Sequence, residues 1–206
     1  GRNLLPQLKS ETEAAPQAVY TARERHSSVR YRSLSYPQRA LRTPDFLYIR
    51  NFQPKRWPAG APQKYGTGSY AEVEQVKNQE LGPMHAAYHD IDACPTMDWM
   101  VAQRETPAVG KLLQAAVAFR PAEELYDIRQ DPACLHNLTT DPNHANVLAQ
   151  LRDQLMTYLR ETGDPRALGR GDIWETYPRH SPVRFFPVPD WAIAYPDSVP
   201  EVPWLE

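Results

Sequence analysis

Cysteine is scarce: Cys94 and Cys134 are the only two in a chain of 206 residues. Two thiols cannot build a disulfide scaffold or a four-cysteine zinc site. They leave the redox compartment undecided, and they can pair only if their Cα atoms come within about 7 Å. Net charge is nearly absent too, with 23 basic and 25 acidic residues giving −2, which excludes a histone-like polycation. Together with the lack of a recognisable binding motif, this argues against nucleic acid as a partner. No window approaches the roughly 18 consecutive apolar residues of a membrane span. Glycine is low at 9 residues, and neither a Gly-rich phosphate loop nor a Gly-x-Ser-x-Gly elbow is present. The first residue is Gly1 and the first Met is Met84. No charged stretch and apolar run follow the start, so no signal peptide is read, and the simplest expectation is a fragment or a processed product.

Proline is in excess. Its 21 residues are roughly twice the usual share of about 5%, which favours long irregular connections. Apolar residues at 41% still allow one packed core. Charge is unevenly distributed. Residues 20–56 hold nine basic groups (Arg23, Arg25, Arg30, Arg32, Arg39, Arg42, Arg50, Lys55 and Arg56) against Glu24 and Asp45, a local +7 that leaves −9 for the rest. Guanidinium forks match sulfate, phosphate and carboxylate, so the segment could serve an anionic ligand. The alternative is arginines alternating along strands as a solvated face.

Leu4, Leu5 and Leu8 predict a short apolar turn, followed by a polar linker to about residue 15. A strand is predicted over Gln17–Arg25. Arg39–Thr43 and Phe46–Asn51 read as a hairpin turning at Pro44–Asp45, with Asp45 bonding its own backbone. Alternation puts Phe46, Tyr48 and Arg50 on one face and Leu47, Ile49 and Asn51 on the other. Residues 52–95 read as mostly irregular, with a short helix near Ser69–Gln79. Thr96 can cap a helix to about Arg104. Thr106 before Pro107 repeats the signal, with Val109, Leu112, Leu113, Ala116 and Val117 as the apolar stripe. Glu124–Ile128 predicts a fourth strand. The clearest helix is 142–162, capped by Asp141, carrying Val147, Leu148, Leu151, Leu155, Tyr158 and Leu159 at helical spacing, and stopped by Gly163. The last segment, 178–206, contains seven prolines and reads as a wrapping tail. The fold class expected is α+β: a small four-stranded antiparallel sheet packed by the long C-terminal helix, with extended loops and a Pro-rich tail. The division expected is 1–165 as a subdomain and 166–206 as the tail.

The residues offer no complete active site. Cys94-Pro95-Thr96 lacks a readable His–Asn partnership and reads as a loop or buried thiol. His85 and His89, at i and i+4 with Asp90 and Asp92 after them, could share a metal on a helix, but Pro83 argues for loop. His136 and His144 read as surface residues. Asn137-Leu138-Thr139 is a glycosylation sequon, meaningful only in a eukaryotic secretory setting.

One succession is more informative. Glu124–Pro132, ELYDIRQDP, continues to Asn137-Leu138, then Asp141-Pro142, then the amphipathic helix ending ETGDP at 161–165. This resembles the C-terminal subdomain of the sulfatase family. GRNLLPQLK at 1–9 is similar to the segment that leads out of the sulfatase catalytic domain. RERHSSVRYRSLSYPQRALRT at 23–43, FLYIRNF at 46–52, YHDIDACPT at 88–96 and GDIWETYPRHSP at 171–182 resemble the sulfamidase branch, the heparan N-sulfatases (N-sulfoglucosamine sulfohydrolases) and their bacterial relatives. The resemblance runs from 1 to about 190.

It implies an alkaline-phosphatase-like parent that hydrolyses sulfate esters or sulfamates of a sulfated sugar. Such a parent uses a formylglycine made from Cys or Ser in a C/S-x-P-x-R motif and a Ca²⁺ held by Asp and Asn. Cys94 does not fit that motif, with Pro at +1 and Asp98 at +4. The nucleophile and metal are therefore expected in an N-terminal domain upstream of residue 1, and this chain is expected to hold no catalytic residue, no metal and no cofactor. Its expected share is substrate binding through loop 23–39. His26 would bond a sulfate oxygen or protonate a leaving group, Arg25 and Arg39 would pair with sulfate or a uronate, and Tyr36 would stack on a sugar. The same residues read without the resemblance as a backbone-bonded loop His, an Arg39 tying loop to sheet, and a packed Tyr36. Partners implied are the N-terminal sulfatase domain, a sulfated saccharide and a second copy in a homodimer, in an exported (periplasmic or extracellular) or lysosome-like setting. Two alternatives stay open: a phosphodiesterase or phosphonate hydrolase of the same superfamily, and a non-catalytic glycan-binding or assembly module.

Overall fold

The structure, a computed structural model, describes residues 5–9, 18–73, 81–82 and 87–205. Four antiparallel strands form one sheet in the order β1 (Val19–Arg23), β2 (Gln38–Arg42), β3 (Phe46–Asn51), β4 (Glu123–Asp127). The helices are α1 (Leu5–Leu8), α2 (Pro95–Ala102), α3 (Pro107–Val117), α4 (Ala145–Glu161) and α5 (Asp190–Ala194). The chain is thus α+β, as its pattern predicts. The predicted linker to residue 15 and most of the helix expected near Ser69–Gln79 lie outside the described residues; within them, only a 3-10 turn at Tyr70–Val73 appears.

The register explains the hydrophobic alternation. Leu41 pairs with Tyr48, and Tyr48 with Leu125, so the three side chains form one row on one face. On that row lie Leu148, Leu151, Leu155 and Leu159 of α4, spaced to make a single stripe, and together these residues are the main core. The 3-10 turn Pro142–His144 leads into α4, with Asp141 accepting from the Asn143 amide at 2.9 Å. Gly163, at φ +74°, closes α4 in the left-handed region that a side chain disfavours. A second core joins Met97 and Val101 of α2 to Leu113 and Val117 of α3 and to Ala59 and Tyr88 of the long connection.

Local details depart from the sequence reading where a side chain found a better partner. The β2–β3 turn is held by Thr43, whose hydroxyl accepts from the Phe46 amide at 2.9 Å; Asp45 instead pairs with Arg129 at 3.1 Å. The cap of α2 is Cys94, whose Sγ accepts from the Met97 amide at 3.4 Å, not Thr96. Both Cys94 and Cys134 are free thiols. In α3 the stripe is narrower than predicted: Val109, Leu113 and Val117 are buried, while Leu112 is 63% exposed. The sequon residue Asn137 is engaged, its Oδ1 accepting from the Leu125 amide at 3.0 Å and its Nδ2 donating to the Glu123 carbonyl. It fastens the loop after β4 to that strand.

Leu155 is wholly buried in the main core. Leu155→Ala is expected to lower stability by about 2–5 kcal/mol. Leu112→Ala, on the exposed side of α3, should stay within about 0.5 kcal/mol. Urea unfolding of both variants checks this; equal losses would contradict the placement of α4.

Candidate functional site

The arginine-rich segment is neither a free anion-binding field nor a solvated face. Arg30, Arg39 and Arg56 are buried and paired with carboxylates, Arg23 and Arg50 are paired at partly exposed positions, and Arg42 is exposed. Arg39 is 2% exposed and donates from Nε to Asp164 Oδ2 at 2.6 Å and from Nη2 to Glu24 Oε1 at 2.6 Å. Glu24 also takes Arg166 at 2.9 Å. Arg166 donates to the Ser35 hydroxyl at 2.9 Å and lies 3.5 Å from Glu175. Glu175, fully buried, accepts from Arg56 Nη1 at 2.7 Å and from the Ser35 amide and hydroxyl at 3.0 and 2.7 Å. Three arginines and three carboxylates alternate, so the interior network is neutral.

That network decides several assignments. Arg39 does not reach solvent; it ties the loop to β2 and to the C-terminal end of α4. Tyr36 is fully buried with the Arg30 guanidinium 5.6 Å from its ring, and burial pushes its phenol up to about 12. It packs inside and presents no face to a sugar. Ser35-Tyr36-Pro37-Gln38-Arg39 also meets the letters of the S-x-P-x-R nucleophile motif. Ser35 is 1% exposed and its hydroxyl is taken by Glu175 and Arg166, and Gln38 and Arg39 lie in a strand. No substrate can reach Ser35 in this packing.

Arg25 and His26 lie elsewhere, on the rim of the loop 24–36. This loop is closed by the Tyr36 amide bonding the Glu24 carbonyl at 3.0 Å. His26 is 61% exposed at its side chain, and its Nδ1 lies 3.1 Å from Asp90 Oδ1. Asp90 is buried and also receives Arg23 at 2.6 Å and Arg30. A buried carboxylate clamped by two guanidiniums holds the imidazole with Nε2 pointing away from it. Arg25 is half-buried, donates from Nη2 to the Tyr177 carbonyl at 2.6 Å, and lies 5.4 Å from the centre of the Trp204 ring.

Two residues of this rim went unpredicted. Arg179 donates to Ser27 Oγ at 3.4 Å, and Arg184 approaches the same oxygen at 3.5 Å and the Ser28 carbonyl at 3.4 Å. Both come from the Pro-rich tail, more than 150 positions along the chain, and no local pattern links them to loop 23–30. Burial lowers the Arg25 pKa; Glu175 pulls it back up and the like charge of Arg179 adds to the lowering. Nη1 of Arg25, Nη1 of Arg30 and Nε of Arg179 are buried and have no acceptor among the described residues. With Arg23, Arg25, Arg30, Arg179 and Arg184 gathered around Asp90 and Ser27, the rim carries an excess of positive charge, which suits an anion.

Among the described residues no three His, Cys, Asp or Glu converge on a point where a metal ion could sit, so the Ca²⁺ implied by the sulfatase resemblance has no fitting donor set in them. His85 lies outside the described residues. His136 is exposed, and His144 pairs with Asp141 at 2.8 Å.

Comparison with known proteins bears on this geometry. No protein-family model matches the chain. It is 27% identical over 139 residues to the ulvan-active sulfatase of Formosa agariphila, covering 66% of this chain and 18% of that protein. It is 28% identical over 166 residues to the human N-sulphoglucosamine sulphohydrolase, covering 80% of this chain and 27% of that protein. The chain is a relative of the sulfatases. It spans 18% and 27% of the length of these two relatives. Among solved structures, a 2-O GAG sulfatase is similar at 17% identity and a TM-score of 0.40, covering 89% of this chain and 25% of that one. Among the described residues no helix of this sulfatase relative is long and apolar enough to cross a membrane.

The interior network sets a pH dependence. Burial alone would raise the Glu175 carboxyl, but the Arg56 charge and the bonds from Ser35 and Arg56 outweigh it and hold it below the ordinary value of 4.5. A carboxyl held low in the folded state stabilises fully above its unfolded pKa and loses that contribution as pH falls through the folded one. Stability is therefore expected to be level from neutral pH to about 5 and to fall below about 4.5. Glu175→Gln should cost about 3–5 kcal/mol at neutral pH, since Arg56 keeps its charge in the interior, and should flatten the acid limb. Denaturant midpoints across pH measure both; an unchanged acid limb would contradict the role given to Glu175.

Proposed function

We propose that this chain is the C-terminal part of a sulfatase that hydrolyses sulfate esters or sulfamates of a sulfated saccharide, and that it supplies binding rather than the reacting groups. The observation that carries the reading is the rim around Ser27. There Arg179 and Arg184 meet Ser27, next to His26, and Arg25 lies close enough to Arg179 for their like charges to interact, a local excess of positive charge. The sequence relation to sulfatases over most of the chain supports the same class.

In this reading the anionic group of the saccharide, a sulfate or a uronate carboxylate, sits against the guanidiniums. His26, set by Asp90, bonds one of its oxygens through Nε2 or hands a proton to the departing sugar oxygen. The formylglycine nucleophile and its Ca²⁺ belong to an N-terminal domain, which is also the rim's partner in covering Arg25 and Arg179. The protein works outside the cytoplasm, as a homodimer, and the 206 residues alone are inert.

The test uses the full-length protein. Arg179→Ala is expected to raise KM for a sulfated oligosaccharide by roughly tenfold to a hundredfold with a smaller effect on kcat, because it removes ground-state anion binding. Asp90→Asn should lower kcat with a smaller effect on KM, since it releases the His26 ring. Unchanged KM in Arg179→Ala would sink the binding role of the rim. Turnover of a phosphodiester in place of the sulfate ester, with no formylglycine mass on the nucleophile peptide, would move the protein to the phosphodiesterase class.

A further inference from the structure

A second concave site lies apart from the basic rim. It is a cleft of about 630 Å³, within the range of small-ligand sites, roughly 300–1,000 Å³. Its walls are aromatic and come from three separated stretches: Trp57, Phe119, and Trp191 beside Pro189. Lys55 and Asp190 stand among them, and their charges cancel. We propose that this cleft binds a neutral pyranose ring of a saccharide.

The aromatic surfaces are held in advance. Arg30 donates from Nε to the Trp57 carbonyl at 2.5 Å, fixing the backbone that carries the indole. The Trp57 and Phe119 rings stack with centroids 3.9 Å apart at 26°. Trp191 is backed by the Arg56 guanidinium, 5.9 Å from its ring centre, and Arg56 is itself locked on Glu175. Rigid aromatic rings offer large contact area at little entropic cost.

The chemistry of the lining selects the ligand. A pyranose ring has a face of C–H bonds that packs on an aromatic ring and an edge of hydroxyls that needs both donors and acceptors. Trp191 and the outer surfaces of the stacked Trp57–Phe119 pair supply apolar faces, the Lys55 ammonium, 4.1 Å from the centre of the Tyr195 ring, supplies a donor and the Asp190 carboxylate an acceptor. A purely apolar ligand would make no use of these two polar groups, and a sulfate would be repelled by the carboxylate. The cleft and the basic rim are joined by one residue: Arg30 binds the Trp57 carbonyl and also Asp90, which holds His26. One saccharide chain could therefore place a charged unit at the rim and an uncharged one in the cleft. The proposal goes beyond the sulfatase reading and does not need it, since it stands on the cleft alone.

The experiment follows the five tryptophan indole N–H signals of the isotope-labelled protein during titration with cellobiose and with N,N′-diacetylchitobiose. Signals of Trp57 and Trp191 are expected to move with saturation, those of Trp99 and Trp174 to stay, and the affinity to be the same at low and high salt. Phe119→Ala, at a half-exposed position, should weaken binding by roughly tenfold. Lys55→Ala should weaken it without any risk to the core. Stationary Trp57 and Trp191 signals with both disaccharides would overturn the proposal. So would movement with a proline-rich peptide but neither sugar, which would make the cleft a peptide-docking site, or tighter binding of O-sulfated chitobiose in the cleft.

Discussion

The alternation of Arg39, Arg166 and Arg56 with Asp164, Glu24 and Glu175 is the constraint on which the architecture depends. It joins the ends of β1 and β2, the loop between them, the segment after α4 and the Pro-rich tail. Each charge would be costly to bury alone, by several kcal/mol. The six are tolerated because each has a partner of opposite sign and further bonds to Ser35 or to backbone carbonyls. A hydrophobic contact would tolerate sliding, whereas a buried guanidinium between two carboxylates does not. The tail is therefore held in one register against the loop, where its few buried apolar side chains, such as Phe186 and Val202, would allow several.

That register has a consequence for chemistry. With the tail pinned at Glu175, Arg179 and Arg184 come to stand against Ser27 beside His26. The interior network is charge-balanced, each guanidinium being paired with a carboxylate. The rim it positions is not balanced: Arg23 and Arg30 hold the carboxylate of Asp90, while Arg25, Arg179 and Arg184 bond only neutral oxygens of Tyr177, Ser27 and Ser28. Along this one segment Arg23 and Arg25 turn toward the rim, whereas Arg39 turns inward. The aromatic cleft depends on the same frame, since Trp191 rests on Arg56 and Trp57 is fixed by Arg30.

The sheet and its covering helix were legible in the sequence because their signal is local and repeated. The row Leu41, Tyr48, Leu125 and the stripe Leu148, Leu151, Leu155, Leu159 follow from periods of 2 and 3.6, and the hairpin from Pro44–Asp45. The sulfatase relation was legible in ELYDIRQDP and the strings before and after it. The placement of the candidate residues was only partly legible. Arg25 and His26 belong to the rim, but Tyr36 and Arg39, from the same motif, are interior. A run such as SYPQR does not say which of its side chains a distant glutamate will capture.

What the sequence by itself determined about this protein is its α+β class, the strand and helix positions within a few residues, and its kinship, since each of these rests on neighbours along the chain. Only the tertiary structure decided the fate of the nine basic groups between residues 20 and 56, the rim that Arg179 and Arg184 complete, and the cleft between Trp57, Phe119 and Trp191. The reason is range. Electrostatic pairing and aromatic packing act between groups far apart along the chain, such as Arg23 with Asp90 or Ser35 with Glu175, and whether an arginine binds a ligand or a buried carboxylate depends on which of them the fold delivers to it.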